Sequence, residues 1–550
     1  MSEVAVQFVA DAPQQKSIGK KLSSWLPLTL VLLLVSVILT HKIKKGEFSL
    51  NSDETFHAVT GFYFADVFHD LPVTHLEQYT YRYYAHYPAL GLVHWPPFFH
   101  IVEGILFSLF GESAVVARLA VLLFALVGVG YWFEIVSDLQ GRTAAVVSAL
   151  LLALLPSVLL YEKSVMLEIP ALSLCIAASY YWIRYLKYDD TFALHGFAVA
   201  SSLALLTKQH SIYLVVFCFL TILVQRKWKL LLSGPMLRAF ALCCFLVVPF
   251  YTLALAFHHS TIAGDVFQGT IHSNPYMYYP FLLPKQLGLA VFVMAAIGML
   301  TARWWADRRD VLLMGMWILA CYVTFTLIAQ KDSRYILFWL PPFLYFAVGP
   351  FTCAKIPARL RPLSAVTMIA ILALQVSSAW SFQRPYVSGY ESLARRVMDS
   401  GNPGIILYDA SLPANFIFYM RAFDPGKHSI TLRKSLYATR IMIEYGNVEL
   451  LHSRADLEKL IFGYGIKYVV VDNGPVDFPI QNTLRDLLKT GDFRLVTEIP
   501  VESNMQSWQG RSLFLYEANH TEPVSVGELH LKMMTLNKDI VLPLKDLEIR

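Results

Sequence analysis

The chain predicts a mainly helical polytopic membrane protein with about eleven transmembrane helices and a smaller α/β domain after the last of them. Three observations carry that expectation. Of its 550 residues 56% are hydrophobic and only 15% charged, with a mean hydropathy of +0.49. Soluble domains hold charge nearer to a quarter. The apolar residues fall in blocks separated by short charged links, as in polytopic membrane proteins. From about Phe382 that texture gives way to alternating strand and helix signals. A soluble helical protein would need many buried helices covered by very few charges.

Net charge (+5) and pI (about 8.7) do not argue for nucleic acid, because the basic residues sit mostly in short links, where membrane orientation explains them. The six cysteines, at 175, 218, 243, 244, 321 and 353, fall in apolar segments without metal or disulfide spacing, and read as small apolar packers.

In chain order, residues 1–24 form an N-terminal tail, expected on the cytoplasmic side. Lys16, Lys20 and Lys21 precede the apolar run Leu26–Thr40, which no small-residue cleavage site follows, so it reads as an uncleaved first span. His41-Lys42-Ile43-Lys44-Lys45 then pulls the orientation the other way. The long link 42–113 carries a helical aromatic rhythm over 55–69 and more aromatics over Tyr79–Tyr87, which suggests helices lying on the membrane surface. Phe98–Phe110 is short and contains Glu103, so it is expected to be interfacial or re-entrant. Ten further apolar blocks follow, at 114–136, 143–160, 170–186, 192–206, 210–225, 236–257, 285–302, 311–329, 335–353 and 363–380. With the N-terminus inside, the inside links collect Arg142, Arg184, Lys187, Arg226, Lys227, Lys229, Arg303, Arg308, Arg309, Lys355, Arg359 and Arg361, as the positive-inside rule requires. Counting Phe98–Phe110 as a span would invert every later segment.

The transmembrane domain therefore runs over 25–381 and an extracytoplasmic domain over 382–550. In the latter, helices are expected at Glu391–Met398, Pro413–Met420, Ala455–Phe462 and Leu484–Lys489, and strands at Gly404–Asp409, Lys467–Asp472, Phe493–Ile499 and Ser512–Ala518. No glycine-rich phosphate loop opens any of these helices, so no nucleotide site is expected. The domain reads equally as a stabilising cap and as a lid or acceptor-recognition surface.

The candidate chemistry lies on the outer side. Asp53 and Glu54 follow the first span, where a carboxylate can deprotonate an acceptor or simply close the loop. Glu168, before Pro170, is a second acidic candidate or a helix cap paired with Lys163. Lys208 with His210, and Lys331 with Arg334 and Tyr335, are basic exceptions on a face that should be poor in them; they can clamp a phosphate, or Asp332 can pair with Arg334. His94 in His94-Trp95-Pro96-Pro97 can contact phosphate or the acidic centre, or tie the turn. No spacing is that of a dedicated zinc site, so metal dependence is left open.

Taken in order, Asp53-Glu54, His94-Trp95-Pro96-Pro97, Phe110-Gly111-Glu112-Ser113 leading to Arg118, Glu168 before proline, Thr207-Lys208, and Lys331-x-x-Arg334-Tyr335 with Pro341-Pro342 resemble the GT-C glycosyltransferases. The likeness is greatest to the bacterial ArnT-like and protein O-mannosyltransferase-like branch and covers roughly residues 25–380. It implies a GT-C fold and transfer of a sugar from a polyprenyl-phosphate donor to an extracytoplasmic lipid, glycan or protein acceptor, by inverting direct displacement. It further implies Asp53 as the acceptor base supported by Glu54, Glu168 as the second-loop carboxylate, and Lys208, Lys331 and Arg334, with His210 beside them, at the donor phosphate. His94 and Tyr335 would position the loop or the substrate. No cofactor is required, membrane lipids are the surroundings, and a bacterial inner membrane is the implied location. Two departures stand out: Trp95 splits His94 from the proline pair, and Glu168 occupies a place often held by Asp. A lipid or solute transporter and a noncatalytic lipid-binding assembly protein are the alternatives, although the sequence shows no internal repeat of the kind transporters carry.

Overall fold

The apolar blocks all fold as helices, but not all as full-length spans. The computed structural model describes residues 18–49, 52–257, 274–328, 330–440, 447–520, 526–533, 536 and 538–547. The first helices are α1 (Ile18–Thr40), α2 (Ser52–Asp70), α3 (Leu76–His86), α4 (Phe98–Phe110), α5 (Ala114–Gln140), α6 (Arg142–Leu154), α7 (Pro156–Glu162), α8 (Glu168–Tyr188), α9 (Thr191–Leu205), α10 (Tyr213–Val224) and α11 (Gly234–Phe257). Among the described residues four helices are long and apolar enough to cross a membrane: α5, α11, Arg308–Leu327 and Ala358–Ser381. Two bent pairs raise that to six, and several shorter apolar helices fill the remaining expected positions. The chain is a multi-pass membrane protein in which many segments are broken or short.

The breaks have local causes. Pro156 cannot donate to the preceding turn, so α6 stops at Leu154 and α7 restarts at an angle of 66°. Gly288, at φ +75°, separates Tyr278–Leu287 from Leu289–Trp305 at 114°. Both bends let polar backbone meet partners inside the protein and not in lipid. Gln286, next to the second bend, donates to the Ser333 carbonyl and accepts from the Trp339 indole, pinning that corner to the 331–335 link.

The long first link differs from a set of surface-lying helices. α2 buries ten of its residues, from Glu54 to Ala65, because it is covered on two sides. α4 packs along one side, where Gly104 approaches the backbone of Gly61 and Ala65. The helix Pro413–Phe423 packs on the other. There Phe418 is stacked on Phe62 at 4.7 Å and meets Phe48 edge-on at 4.7 Å.

All the described strands lie from Val387 onward: β1 (Val387–Ser388), β2 (Ile405–Tyr408), β3 (Ile430–Arg433), β4 (Ala438–Arg440), β5 (Asn447–Glu449), β6 (Ile466–Asp472), β7 (Phe493–Pro500), β8 (Glu502–Ser503), β9 (Ser512–Ala518), β10 (Glu528–Met533) and β11 (Lys538–Pro543). The central sheet has the order β3-β2-β6-β9-β7, with β3, β2 and β6 parallel and β9 and β7 antiparallel. β2 and β6 are near-continuous apolar runs because they are buried on both faces. The expected helix at 484–489 begins earlier, at Pro479, since Pro suits the first helical turn and the Gln481 side chain reaches back to the amides of Asp477 and Phe478. β1, β3, β4, β5, β8 and the hairpin of β10 and β11 escaped the sequence reading.

Three polar devices join this region to the membrane helices. Arg421, 1% exposed, forks onto Asp66 at 2.6 and 3.1 Å and reaches Glu112 at 3.1 Å. Glu47 accepts the amides of Gly389, Tyr390 and Glu391 at the start of the helix Tyr390–Met398. Arg118 and Arg384 donate to backbone carbonyls between Ile43 and Glu47.

Candidate functional site

The four groups that come together start from four separate links. Asp53 occupies the first turn of α2, where the helix N-terminus favours a negative charge. Glu168 opens α8, and Lys208 precedes the turn Gln209–Ile212 that leads into α10. Arg334 lies in a turn whose backbone is fixed by its own amide donating to Asp332 Oδ1 at 3.0 Å.

Arg334 is the hub. It donates to Asp53 Oδ2 at 3.0 Å, and its Nε lies 3.2 Å from Asp332 and 3.6 Å from Glu168. Lys208 Nζ meets the same Glu168 oxygen at 2.6 Å. Glu168 and Lys208 are buried, whereas the Asp53 and Asp332 side chains stay 28% and 39% exposed, so the cluster opens towards the aspartates. Glu168 Oε2 has no hydrogen-bond partner among the described residues. The Tyr335 ring packs tilted against the His210 ring (centroids 4.3 Å apart) and lies under both cations, 5.6 Å from each. Burial pushes the Lys208 ammonium below its ordinary range, and Glu168 opposes that shift. Burial also disfavours the charged Arg334, but Glu168 and Asp53 outweigh it and hold its pKa above normal.

The other sequence candidates lie around this hub. Glu54 points elsewhere: fully buried, it accepts the amides of Ser49 at 2.6 Å and Val165 at 3.0 Å, and lies 3.8 Å from Arg384. This ties the start of α2 to the link between α7 and α8. Lys331 immediately precedes Asp332 of the hub but turns away, donating to the carbonyls of Phe325, Thr326 and Ile328 at the end of the helix Arg308–Leu327. The His94 carbonyl accepts from Gln209, so the His94-Trp95-Pro96-Pro97 turn is fastened to the Lys208 link.

A buried polar layer under the site was not singled out in the sequence. His57, one turn beyond Asp53, shares a hydrogen bond with His100 at 3.0 Å and meets the Trp95 ring edge-on. Glu103 follows one turn later on α4, its two oxygens without hydrogen-bond partners among the described residues. The spacing of four between Asp53 and His57 was the one available signal. No group of three or more potential His, Cys, Asp or Glu metal ligands occurs among the described residues.

Comparison with known proteins bears on the fold. The family model "Dolichyl-phosphate-mannose-protein mannosyltransferase" matches residues 94–252. No curated protein matches the chain. The crystal structure of ArnT from Cupriavidus metallidurans bound to undecaprenyl phosphate is similar with a TM-score of 0.60 at 14% identity, covering 91% of this chain and 98% of that one. Its apo form gives 0.61 at 15%, covering 90% and 98%. The mycobacterial arabinofuranosyltransferase AftD gives 0.53 at 15%, covering 94% of this chain and 41% of that one. The chain has the GT-C fold in its ArnT-like form.

Proposed function

We propose that this ArnT-like GT-C membrane protein transfers a sugar from a polyprenyl-phosphate carrier to an acceptor on the outer face, with Asp53 as the acceptor base. The observation that carries the reading is the single ion-pair hub in which Arg334 bridges Asp53 and Glu168 beside Lys208. The reported ligand of the similar ArnT structure, undecaprenyl phosphate, supports a lipid-linked donor.

The hub contains three carboxylates and two cations, so a donor phosphate must compete for Arg334. Asp332 is the most exposed of the three partners and gives way at least cost. As the phosphate draws the guanidinium further towards itself, Asp53 gives up its pair with Arg334 and can accept the acceptor's proton. Lys208 and Arg334 then offset the charge that builds on the phosphate oxygen as the glycosidic bond breaks. Glu168, held by Lys208, keeps both cations in place. Attack on the sugar carbon from the side opposite the leaving phosphate gives inversion. The polyprenyl chain stays in the bilayer, and no nucleotide is needed because the sugar arrives already activated.

The test is turnover by the purified full-length protein across a panel of polyprenyl-phosphate sugars, native against Asp53→Asn. A positioned general base contributes about 10²–10⁴-fold, so the variant is expected to lose that much turnover while still binding donor. Equal turnover by both proteins would remove Asp53 from its role; no turnover or donor binding by the native protein with any sugar would remove the reading itself.

A further inference from the structure

The basic run His41-Lys42-Ile43-Lys44-Lys45 contradicts the orientation rule and takes no part in the hub. It forms one wall of a small cavity closed by α5, the end of α7 and the link from Phe382 to Tyr386. Five cationic side chains line it: Lys42, Lys45, Arg118, Lys163 and Arg384. The carboxyl of Glu162 is the acidic group on the wall, and Glu54 stands 3.8 Å behind Arg384. The two arginines are 2% and 5% exposed. Arg118 Nε has no hydrogen-bond partner among the described residues, although Nη1 and Nη2 of the same side chain hold backbone carbonyls; Arg384 holds carbonyls through Nη2 and turns Nη1 towards Glu54. His41 Nε2 is unpartnered in the same way, its ring stacked on Trp380 at 3.9 Å.

Buried donors left unpaired cost about 1–3 kcal/mol each, more when charged. A cluster of them around one void therefore points to an occupant. The void measures about 20 Å³, enough for a single water-sized sphere and too little for a tetrahedral oxyanion. A water could bridge Glu162 Oε2, also unpartnered, to a guanidinium, but it would leave the excess of positive charge where it is. We infer that this cavity is a binding site for a small monovalent anion of halide size, held by Arg118, Arg384 and Lys163 between the first span and the link to the C-terminal region. The site is independent of the glycosyl-transfer reading. It explains why basic residues gather on this stretch, and it places the anion where it braces the carbonyl-rich turn 43–47 against both arginines.

The test uses the full-length protein purified in gluconate and melted, by tryptophan fluorescence, against chloride, bromide, phosphate and further gluconate at constant ionic strength. Chloride and bromide are expected to raise Tm saturably, as a ligand of the native state does, and phosphate is not. Lys42→Gln/Lys45→Gln, both at exposed positions, should shift the half-saturating concentration upward, and Lys163→Met should abolish the saturable shift. Crystals grown in bromide should show an anomalous peak inside the cavity. Identical melting in chloride and gluconate, a non-saturating shift that the variants share, or saturation by phosphate alone would each overturn the assignment. A cavity peak that refines as water with no anomalous signal would do the same.

Discussion

Replacing Arg334 by glutamine tests the hub most directly. The substitution removes one positive charge and leaves Asp53, Glu168 and Asp332 facing Lys208 alone. Breaking a fully buried pair costs about 3–5 kcal/mol. The Arg334 side chain is 19% exposed and Glu168 keeps Lys208 at 2.6 Å, which places the expected loss of stability nearer about 2 kcal/mol. At the donor phosphate the same guanidinium supplies one charged hydrogen bond, worth about 1.5–3 kcal/mol, so the Kd for a short-chain polyprenyl phosphate should rise about 10- to 100-fold. Arg334→Lys keeps the charge but not the fork, and should fall between the two proteins. Titration calorimetry on the full-length protein in nanodiscs, with Tm measured alongside, separates the two losses. Lys331→Gln is the internal comparison: its ammonium caps a helix, so it should lower Tm while leaving donor affinity near native. Native donor affinity in a folded Arg334→Gln protein would refute the assignment of Arg334 to the phosphate, and an Arg334-sized loss in Lys331→Gln would refute the placement of Lys331.

Further expectations concern what holds the hub in place. Arg421→Met leaves Glu112 uncompensated and Asp66 with Lys427 alone, at 3.9 Å, and should cost about 3 kcal/mol, whereas Arg421→Met/Asp66→Leu/Glu112→Gln should recover most of that; equal losses, by thermal or chemical unfolding, would contradict the ion-pair account. Glu47 is raised to about 7 from 4.5, burial outweighing its three amide donors. Its protonated form is the one favoured on folding, so stability contributed by this group should decline as pH rises from about 4.5 to about 7 and then level off. A Tm–pH curve for Glu47→Gln should lack that slope; an unchanged slope would assign it to another group. At Gly61 an added Cβ would sit 2.5 Å from Glu103 Oε2, so Gly61→Ala should destabilise by about 1–3 kcal/mol and Gly61→Ala/Glu103→Ala should lose less, as measured by unfolding.

The length and apolarity of the blocks were enough to give the membrane class and the positions of most helices, because a segment that crosses lipid must satisfy its backbone locally and hide few charges. The short C-terminal strands β2 and β6 were equally legible as buried apolar runs bounded by turn residues. Charge placement among the links even brought Asp53, Glu168, Lys208 and Arg334 to one face, and the tertiary structure closes them into contact. The sequence did not reveal the direction of each side chain. Asp53 and Glu54 are neighbours on one helix and therefore point about 100° apart, the first to Arg334 and the second to the amides of Ser49 and Val165. Lys331 and Arg334 share a link, yet one caps a helix and the other joins the hub. Links chosen by charge gave the candidates; packing of distant elements, which no local pattern encodes, decided which of them face one another and which, like Glu54 and Lys331, turn away.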